Sequence, residues 1–257
     1  MSTFLITGAS GGIGSAVSQR LAKSGHQLVL AARDVDRLTT LQKSLPGDGH
    51  RVIAVDMASD QSVAKFSERL ESLDLELDGA VLMPPQPHAA NDPLPDPEVW
   101  RTLFQSSFIG PLATLKAAVS RMRPDVTRGQ RAKIVIISGI SSAQVLGHYA
   151  TSNVIRTAWL GEAKTLAFAL GDRNIHINTL SLGGTLTPVY RDSIARRAAA
   201  AGQSFDDRLE AETDNVPLRK YGEPSEVAVA VEGLLSSFSD HMTGLNILHD
   251  GGFTRAY

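Results

Sequence analysis

The chain has 257 residues, 42% of them hydrophobic, and a formal net charge of −2 at pH 7. This length fits one large α/β domain with a sizeable core, and the near-neutral charge excludes the strong positive field that attracts nucleic acids or anionic membranes. The absence of cysteine excludes disulfide bonds and thiolate metal sites.

The first residues and the hydropathy pattern bear on location. An apolar segment begins at residue 3, which leaves no room for the basic region and apolar core of a secretory signal. No apolar run reaches the roughly 18 residues of a membrane-spanning helix. We therefore expect a cytoplasmic protein without nucleic-acid or membrane partners. Histidines and carboxylates show no metal-ligand spacing, so no metal is expected.

Short apolar segments alternate with helical patterns along the whole chain. Strands are predicted at 4–6, 27–31, 51–55, 79–83, 133–138, 176–180 and 245–248. Helices are predicted at 12–24, 35–44, 61–73, 98–122, 149–170 and 225–237. Such alternation is typical of parallel strands joined by right-handed crossover helices. The pattern therefore predicts an α/β fold with a doubly wound, seven-stranded parallel sheet in a single domain over residues 1–257.

Two segments interrupt this pattern. Residues 84–97 are rich in proline, and residues 183–217 are longer than a connection normally needs and include a basic helical patch at 191–197. Long loops at the carboxyl ends of sheet strands usually cover substrates. We therefore predict a substrate lid at about 183–217. A mobile surface insertion is the alternative.

A glycine-rich turn follows the first predicted strand and opens the first predicted helix. It reads Thr-Gly-Ala-Ser-Gly-Gly-Ile-Gly over residues 7–14. Gly8 can adopt backbone angles closed to other residues, Gly12 lets the main chain approach a diphosphate, and Gly14 lets the helix pack closely on its strand. The free N–H groups and the positive end of the helix then bind an anion. Strand, turn and helix together predict a dinucleotide diphosphate site.

Residues 7–14 are similar to the TGxxxGxG turn of the short-chain dehydrogenase/reductase family. The similarity continues through Asp56, Tyr149, Asn178 and residues 181–188, 222–228 and 243–252. It covers essentially the whole chain. The resemblance implies a Rossmann-type domain that binds NAD(H) or NADP(H), a small carbonyl or alcohol substrate, and a homo-oligomer, either a tetramer or a dimer.

The turn geometry and the resemblance together place the cofactor site. The predicted cofactor-binding residues are Gly8, Ser10, Gly11, Gly12, Ile13, Gly14, Arg33, Asp56, Asn153, Gly183 and Thr185. Asp56 follows the third predicted strand and matches a family residue that binds the adenine amino group. As an alternative, Asp56 caps the helix that begins nearby, although Asp60 suits that position better.

The end of the second predicted strand bears on which dinucleotide binds. Folds that prefer NAD usually place a carboxylate there for the ribose 2′-hydroxyl, whereas a 2′-phosphate requires a cation. Ala32 stands where the resemblance puts that acid, and Arg33 follows it, with Ser10 as a further donor. We therefore predict NADP(H), with NAD(H) as the less favoured cofactor. In the alternative, Arg33 is a surface residue paired with Asp34 or Asp36.

The catalytic positions depart from the family pattern of asparagine, serine, tyrosine and lysine. Tyr149 matches the tyrosine, but Asn153 replaces the lysine of the YxxxK motif. Gly139 stands at the serine position, closer to Tyr149 than is usual in the family, and Ser107 stands at the asparagine position. The serines that can substitute for the missing one are Ser138, Ser141 and Ser142. The predicted catalytic residues are Tyr149, Ser138, Ser141, Asn153 and Ser107.

Asn153 lies one turn beyond Tyr149, and Arg156 lies two turns beyond it, on the same face of the predicted helix. The amide of Asn153 can bind ribose hydroxyls, which also makes it a predicted cofactor residue. Arg156 can supply a positive field. A salt bridge at the surface or at a subunit interface is the favoured interpretation of Arg156.

Three functions are compatible with these residues. The leading prediction is an NADP(H)-dependent carbonyl reductase in which Tyr149 donates the proton and a relocated serine polarises the carbonyl. One alternative is a catalytically silent dinucleotide-binding or scaffold homologue, which the incomplete set of catalytic residues favours. The other is a non-redox enzyme on the same scaffold, which the intact glycine turn disfavours.

Overall fold

The apolar strand segments pair side by side in one sheet of a computed structural model that describes residues 1–87 and 91–255. The order is β3-β2-β1-β4-β5-β6-β7, and every pairing in the described residues is parallel. The strands are β1 Thr3–Thr7, β2 Gln27–Ala32, β3 Arg51–Ala54, β4 Gly79–Leu82, β5 Ala132–Gly139, β6 Ile175–Leu182 and β7 Asn246–His249. The predicted seven-stranded, doubly wound parallel sheet is confirmed.

Helices connect successive strands. They are α1 Gly12–Lys23, α2 Val35–Ser44, α3 Asp60–Ser72, α4 Pro97–Phe104, α5 Gly110–Val119, α6 Ala150–Leu170, α7 Pro188–Ala200, α8 Phe205–Thr213 and α9 Pro224–Leu235. Local chemistry sets several of the starts. Asp34 caps α2 by accepting a hydrogen bond from the N–H of Arg37, and Thr187 caps α7 by accepting one from the N–H of Tyr190.

The helices cover both faces of the sheet, because successive strand side chains point to opposite faces. Leu5 belongs to a buried cluster that also contains Phe66 of α3 and Trp159 of α6. The next residue, Ile6, belongs to the other cluster, with Val17 of α1. Each face of the sheet therefore has its own apolar core, and the two cores fix the carboxyl edge of the strands.

Strands β1 and β4 are neighbours, although the strands that follow them in the chain extend the sheet in opposite directions. At such a reversal the connections leave toward opposite faces and open a crevice at the carboxyl ends of the strands. Residues 8–11 follow β1 and residues 83–87 follow β4. Both segments border this crevice, which is where the functional site is expected.

Two helical regions differ from their predictions. The predicted helix 98–122 is interrupted by a π-helical turn at Gln105–Ile109 and ends at Val119. The segment 183–217 contains α7 and α8 instead of a long loop, and its role as a lid stays a prediction. None of the helices built from the described residues has the length and apolarity needed to cross a bilayer.

Candidate active site

The turn between β1 and α1 has the geometry that its glycines predict. Gly8 has a φ of +60°, in the left-handed region that favours glycine. Its carbonyl accepts a hydrogen bond from the N–H of Gly11 at 3.0 Å. A Cβ atom on Gly14 would lie 2.2 Å from that same carbonyl oxygen, so only glycine lets α1 pack this closely. The first N–H groups of α1, which have no partner within the helix, are thus held at the crevice.

Gly12 contacts a part of the chain that the sequence did not indicate. A Cβ atom there would lie 2.9 Å from Cδ of Pro188 and 3.0 Å from Cβ of Thr187. The start of α7 therefore packs directly on the turn. This contact joins the predicted lid to the predicted diphosphate site.

A cavity of about 960 Å³, called here the first cavity, lies beside the turn on the side of β2 and β3. Its wall includes Gly8, Ser10, Gly11, Arg33, Arg37, Asp56, Met83, Gln86 and Ser107. Glycine backbone, cations and a carboxylate are the groups with which Rossmann-type folds bind the phosphates and adenosine of a dinucleotide. The residues of the first cavity fit that half of the cofactor.

Two arginines line the first cavity. Arg33 is exposed and forms no ion pair with the part of the chain that the structure describes, which disfavours pairing with Asp34 or Asp36. Nη2 of Arg37 donates to the carbonyl of Ser10 at 2.9 Å. Sequence reasoning did not identify Arg37, because Arg33 precedes α2 and their spacing of four residues is therefore not a helical signal. Strand β2 ends at Ala32 without a carboxylate, and both cations lie beside this end, although Asp34 also lines the cavity.

Asp56 lies on the wall of the first cavity. Its carboxylate accepts a hydrogen bond from the N–H of Ala58 at 3.1 Å. The cap of α3 is neither Asp56 nor Asp60, because Ser59 accepts the hydrogen bond from the N–H of Ser62. Asp56 therefore stays beside the cavity, and its contact with adenine stays a prediction.

A second cavity, of about 480 Å³, adjoins the first, because Met83 and Gln86 line both. Its wall includes Ile13, Ser138, Gly139, His148, Tyr149, Arg156, Gly183, Thr185, Tyr190 and Tyr221. The glycine turn, the ends of β5 and β6, the start of α6 and the start of α7 all contribute. The second cavity thus continues the first across the crevice.

The guanidinium of Arg156, on α6, is the cationic group of the second cavity. Its Nε and Nη2 donate to Oε1 of Gln86 at 3.0 and 2.7 Å, and Nη1 donates to Oγ of Ser141 at 3.0 Å. Burial lowers the pKa of Arg156, and the neighbouring Tyr149 partly opposes that effect. Arginine nevertheless stays charged at neutral pH. No carboxylate of residues 1–87 or 91–255 forms an ion pair with Arg156.

Tyr149 lies on the wall of the second cavity, at the N-cap of α6. Its ring centroid is 5.5 Å from Cζ of Arg156, in a cation–π contact, and 4.4 Å from the ring of His148. Its φ of −126° and ψ of 39° are not helical. The structure therefore brings together a phenol, which can donate a proton, and a fixed positive charge.

The whole chain is similar to known enzymes. A family model described as Enoyl-(Acyl carrier protein) reductase matches residues 8–254. The (S)-acetoin-forming diacetyl reductase of Staphylococcus epidermidis is 30% identical, over 97% of this chain and 97% of that protein. The chain belongs to the short-chain dehydrogenase/reductase (SDR) family. It is therefore a member of a family of oxidoreductases.

Solved structures of SDR proteins share the fold. L-sorbose reductase from Gluconobacter frateurii, complexed with NADPH and L-sorbose, is 27% identical with a TM-score of 0.88, covering 100% of this chain and 97% of that chain. An NADPH-bound oxidoreductase from Pseudomonas aeruginosa PAO1 that contains an atypical catalytic center has a TM-score of 0.86. It is 23% identical over 100% of this chain and 98% of that chain, a likeness of fold alone. A nicotinamide dinucleotide is thus supported as the cofactor.

The structure separates the serines that were predicted for this SDR site. Ser138 lies on the wall of the second cavity, and its buried Oγ has no hydrogen-bond partner among the described residues. Ser141 instead accepts from Arg156, and Oγ of Ser142 is 2.9 Å from Oγ of Ser181. Ser107 is buried in the π-helical turn and lines the first cavity. Of these serines, Ser138 combines a place on the second cavity with a hydroxyl that has no hydrogen-bond partner among the described residues.

Asn153 does not reach either cavity of the SDR site. Its Oδ1 accepts from the N–H of Leu146 at 3.3 Å, and its Nδ2 donates to the carbonyl of Leu146 at 3.1 Å. Because Tyr149 precedes the regular helix, a spacing of one turn does not place Asn153 on its side. The cation of the site comes instead from Arg156. Ser152, one helical turn before Arg156, ties α6 to the segment after β4, because its buried Oγ donates to the carbonyl of Pro87 at 3.4 Å.

Most of the predicted cofactor residues border the crevice. Those on the first cavity are Gly8, Ser10, Gly11, Arg33 and Asp56. Those on the second cavity are Ile13, Gly183 and Thr185. Those that line neither cavity are Gly12 and Gly14, which pack against the chain at the turn, and Asn153. The roles of all these residues in binding stay predictions.

Two further tyrosines line the second cavity. The rings of Tyr190 and Tyr221 are 5.6 Å apart, and the hydroxyl of Tyr221 donates to the carbonyl of Glu212 at 3.1 Å. Burial raises the pKa of both phenols, so they remain neutral at physiological pH. Sequence reasoning did not identify Tyr221, because no local motif connects it to the cavity.

Proposed function

We propose that this SDR protein is an NADP(H)-dependent reductase of small carbonyl compounds in which Tyr149 donates the proton. The observation that carries the proposal is the position of Tyr149 and Arg156 on a cavity that continues the first cavity. A substrate in the second cavity would contact a proton donor and a cation together. General acids that transfer a proton in this way contribute about 100-fold to 10,000-fold to a rate.

The first cavity supports the choice of NADP(H). The turn at residues 8–14 and the N-terminus of α1 would bind the diphosphate. Arg33 and Arg37 would bind the 2′-phosphate, since guanidinium groups match phosphate oxygens in pairs. When bound, the reduced dinucleotide supplies a hydride to the substrate carbon.

The second cavity supports a carbonyl substrate. Arg156 would hold the carbonyl oxygen and stabilise the negative charge that develops on it. Tyr149 would then give its proton to that oxygen, and the cation beside its ring would stabilise the phenolate left behind. The single guanidinium of Arg156 would thus take over two roles, that of the missing serine toward the carbonyl and that of the missing lysine toward the tyrosine. The cavity has room for a small carbonyl compound such as diacetyl, the substrate in the name of the Staphylococcus relative.

The apolar surface of α6 supports a homo-oligomer, a dimer or tetramer. Phe168 is 84% exposed, and Val154 on the same helix is 46% exposed. A second copy of the chain packed on this helix would remove both apolar side chains from water. Light scattering coupled to gel filtration measures the mass directly, and a monomer at micromolar concentration would contradict this part of the proposal.

The reductase proposal is tested by NADPH oxidation with diacetyl and a panel of ketones, in the wild type and in Tyr149→Phe. We expect the variant to bind NADPH with unchanged affinity and to melt at the same temperature, but to lose turnover at least about 100-fold. Undiminished turnover would remove Tyr149 from the reaction. NADPH binding without turnover on any carbonyl would instead favour a silent dinucleotide-binding protein.

A further inference from the structure

We propose that Arg156 and Ser138 form a binding site for a substrate carboxylate, so that the substrate is a short 2-oxo acid and the product is the matching 2-hydroxy acid. This inference rests on the proposed reductase function and specifies its substrate class. It is carried by the contacts of these two side chains and by the charges of the cavity wall.

The guanidinium of Arg156 is only partly satisfied. Of its five N–H donors, three have acceptors on Gln86 and Ser141, which leaves two without an acceptor among the described residues. A largely desolvated cation without a counter-charge is strongly unfavourable. An anion bound in the cavity would supply the missing counter-charge and accept the remaining N–H groups.

Ser138 is a second, independent indication of a ligand. Ser138 and Arg156 both line the second cavity, the exposed fraction of Ser138 is 6%, and its buried Oγ has no hydrogen-bond partner in the described ranges. Buried hydroxyls are almost always hydrogen-bonded, so an unpartnered one on a residue that lines the cavity indicates a missing acceptor, which rotation of the Ser138 side chain would bring within reach. A carboxylate oxygen is such an acceptor.

The carboxylates on the cavity wall do not neutralise Arg156. Glu212 accepts hydrogen bonds from Arg197 and Arg208, each at 2.8 Å. Asp250 accepts from two N–H groups of its own turn, at 2.9 and 2.8 Å. Two arginines thus neutralise Glu212, whereas Asp250 keeps its negative charge; neither acid forms an ion pair with Arg156, and the phenols of Tyr190 and Tyr221 are uncharged. The guanidinium of Arg156 therefore has no ion-pair partner among the described residues of the cavity wall.

The shape of the site selects the class of acid. In a 2-oxo acid the keto oxygen and one carboxylate oxygen are adjacent and coplanar, which matches the planar N–H groups of a guanidinium. Apolar side chains complete the wall and would contact a short alkyl group; they are Ile137, Leu146, Val216 and Phe253.

In the reaction the keto carbon gains a hydride, with its two electrons, from the reduced dinucleotide. The keto oxygen gains the proton of Tyr149, and the carboxylate is unchanged.

The test compares pyruvate with diacetyl, since the two differ mainly by a carboxylate in place of an acetyl group. With saturating NADPH, we expect kcat/KM of the wild type to be at least about 10-fold higher for pyruvate, as for a charged hydrogen-bonded pair. Arg156→Met should abolish this preference, and Arg156→Lys should retain part of it. Arg101→Met, at an exposed arginine that lines neither cavity, is the matched control and should keep the wild-type ratio.

A binding measurement separates this inference from the reductase proposal. Calorimetry with oxamate, an unreactive 2-oxo acid analogue, is run on the NADPH-bound protein, with ethyl oxamate as the uncharged comparison and melting temperature as the check on folding. Oxamate binding that is lost in Arg156→Met but weakly retained in Arg156→Lys supports the carboxylate site even if no carbonyl is reduced. Reduction of diacetyl without any preference for pyruvate, or equal binding of oxamate and its ester, overturns it and leaves the reductase proposal standing.

Discussion

The guanidinium of Arg156 occupies the space beside Gly139 in which a side chain would lie. An added Cβ atom on Gly139 would come within 2.5 Å of Nη1 and 2.6 Å of Cζ of Arg156. Non-bonded atoms do not approach this closely, so a side chain at 139 would displace the guanidinium from its present position. The missing serine of the family pattern and the unexpected arginine are therefore one structural change, not two.

Placing the serine of the family pattern at residue 139 should lower the activity of this protein. We expect Gly139→Ser to lower kcat/KM at least about 10-fold, because the new side chain displaces the guanidinium from its bonds to Gln86 and Ser141. Gly161→Ala, in an open part of α6, is the control and should leave activity unchanged. Steady-state kinetics on both variants decides, and faster turnover in Gly139→Ser would show that Arg156 does not occupy this space in the working enzyme.

Removing either arginine of the first cavity should weaken NADPH selectively. Arg33→Ala and Arg37→Ala are each expected to raise the Kd for NADPH about 10-fold to 100-fold, the loss of one charged hydrogen-bonding partner. The Kd for NADH should change little. Fluorescence titration measures both, with Arg101→Ala as a control at an exposed site. Equal weakening of NADPH and NADH would indicate that these arginines do not contact a 2′-phosphate.

A methyl group at Gly14 should disrupt the turn. The Cβ atom of Gly14→Ala would lie 2.2 Å from the carbonyl oxygen of Gly8, a backbone atom that cannot move without shifting β1 or α1. We expect a loss of at least about 2 kcal/mol in the free energy of unfolding, together with loss of NADPH binding. Chemical denaturation measures the first effect. Gly147→Ala, with open space around its Cα, should be silent, and a stable Gly14→Ala that binds NADPH would contradict this geometry.

The pairing of Glu212 with two arginines should stabilise the fold in a pH-dependent way. Burial alone would raise the pKa of Glu212, but hydrogen bonds and charge from Arg197 and Arg208 hold that pKa below its ordinary 4.5. Because the folded protein binds this proton less tightly than the unfolded chain, the stabilisation is complete above pH 4.5 and is lost as the pH falls through the folded-state pKa.

Glu212→Gln is therefore expected to lower the free energy of unfolding by about 1–3 kcal/mol at pH 7, and by progressively less in more acidic solution below pH 4.5. Urea denaturation at several pH values measures the difference. Glu210→Gln, an exposed neighbour on α8, provides the matched comparison and should show little effect at any pH. A Glu212→Gln difference that does not vary with pH would mean that the charge of Glu212 is not what stabilises the contact.

The fold and the first cavity were predictable because the relevant signals are local. Strand segments, crossover helices and the turn at residues 8–14 each follow from residue types a few positions apart. The preference of Arg33 for the cavity also followed from its place after Ala32. Each of these features depends only on residues within one strand, turn or helix, or within two that follow each other directly in the chain.

The catalytic side of the site was less predictable because it depends on where α6 begins. Residue spacing places Asn153 beside Tyr149 only if both lie in the helix, and Tyr149 lies just outside it. The cation comes from Arg156 of α6. Its position depends on the space beside Gly139, at the end of β5, and on the amide oxygen of Gln86, which accepts its hydrogen bonds. Such contacts between distant segments leave no periodic signal in the sequence.

Gln86 gives the two cavities a common wall. Its amide oxygen fixes Arg156, while the same side chain borders the space beside the glycine turn. Filling either space alters the surroundings of a residue that both share, so we expect the affinities for nucleotide and substrate to be thermodynamically linked. Reciprocity then requires that each molecule change the dissociation constant of the other by the same factor.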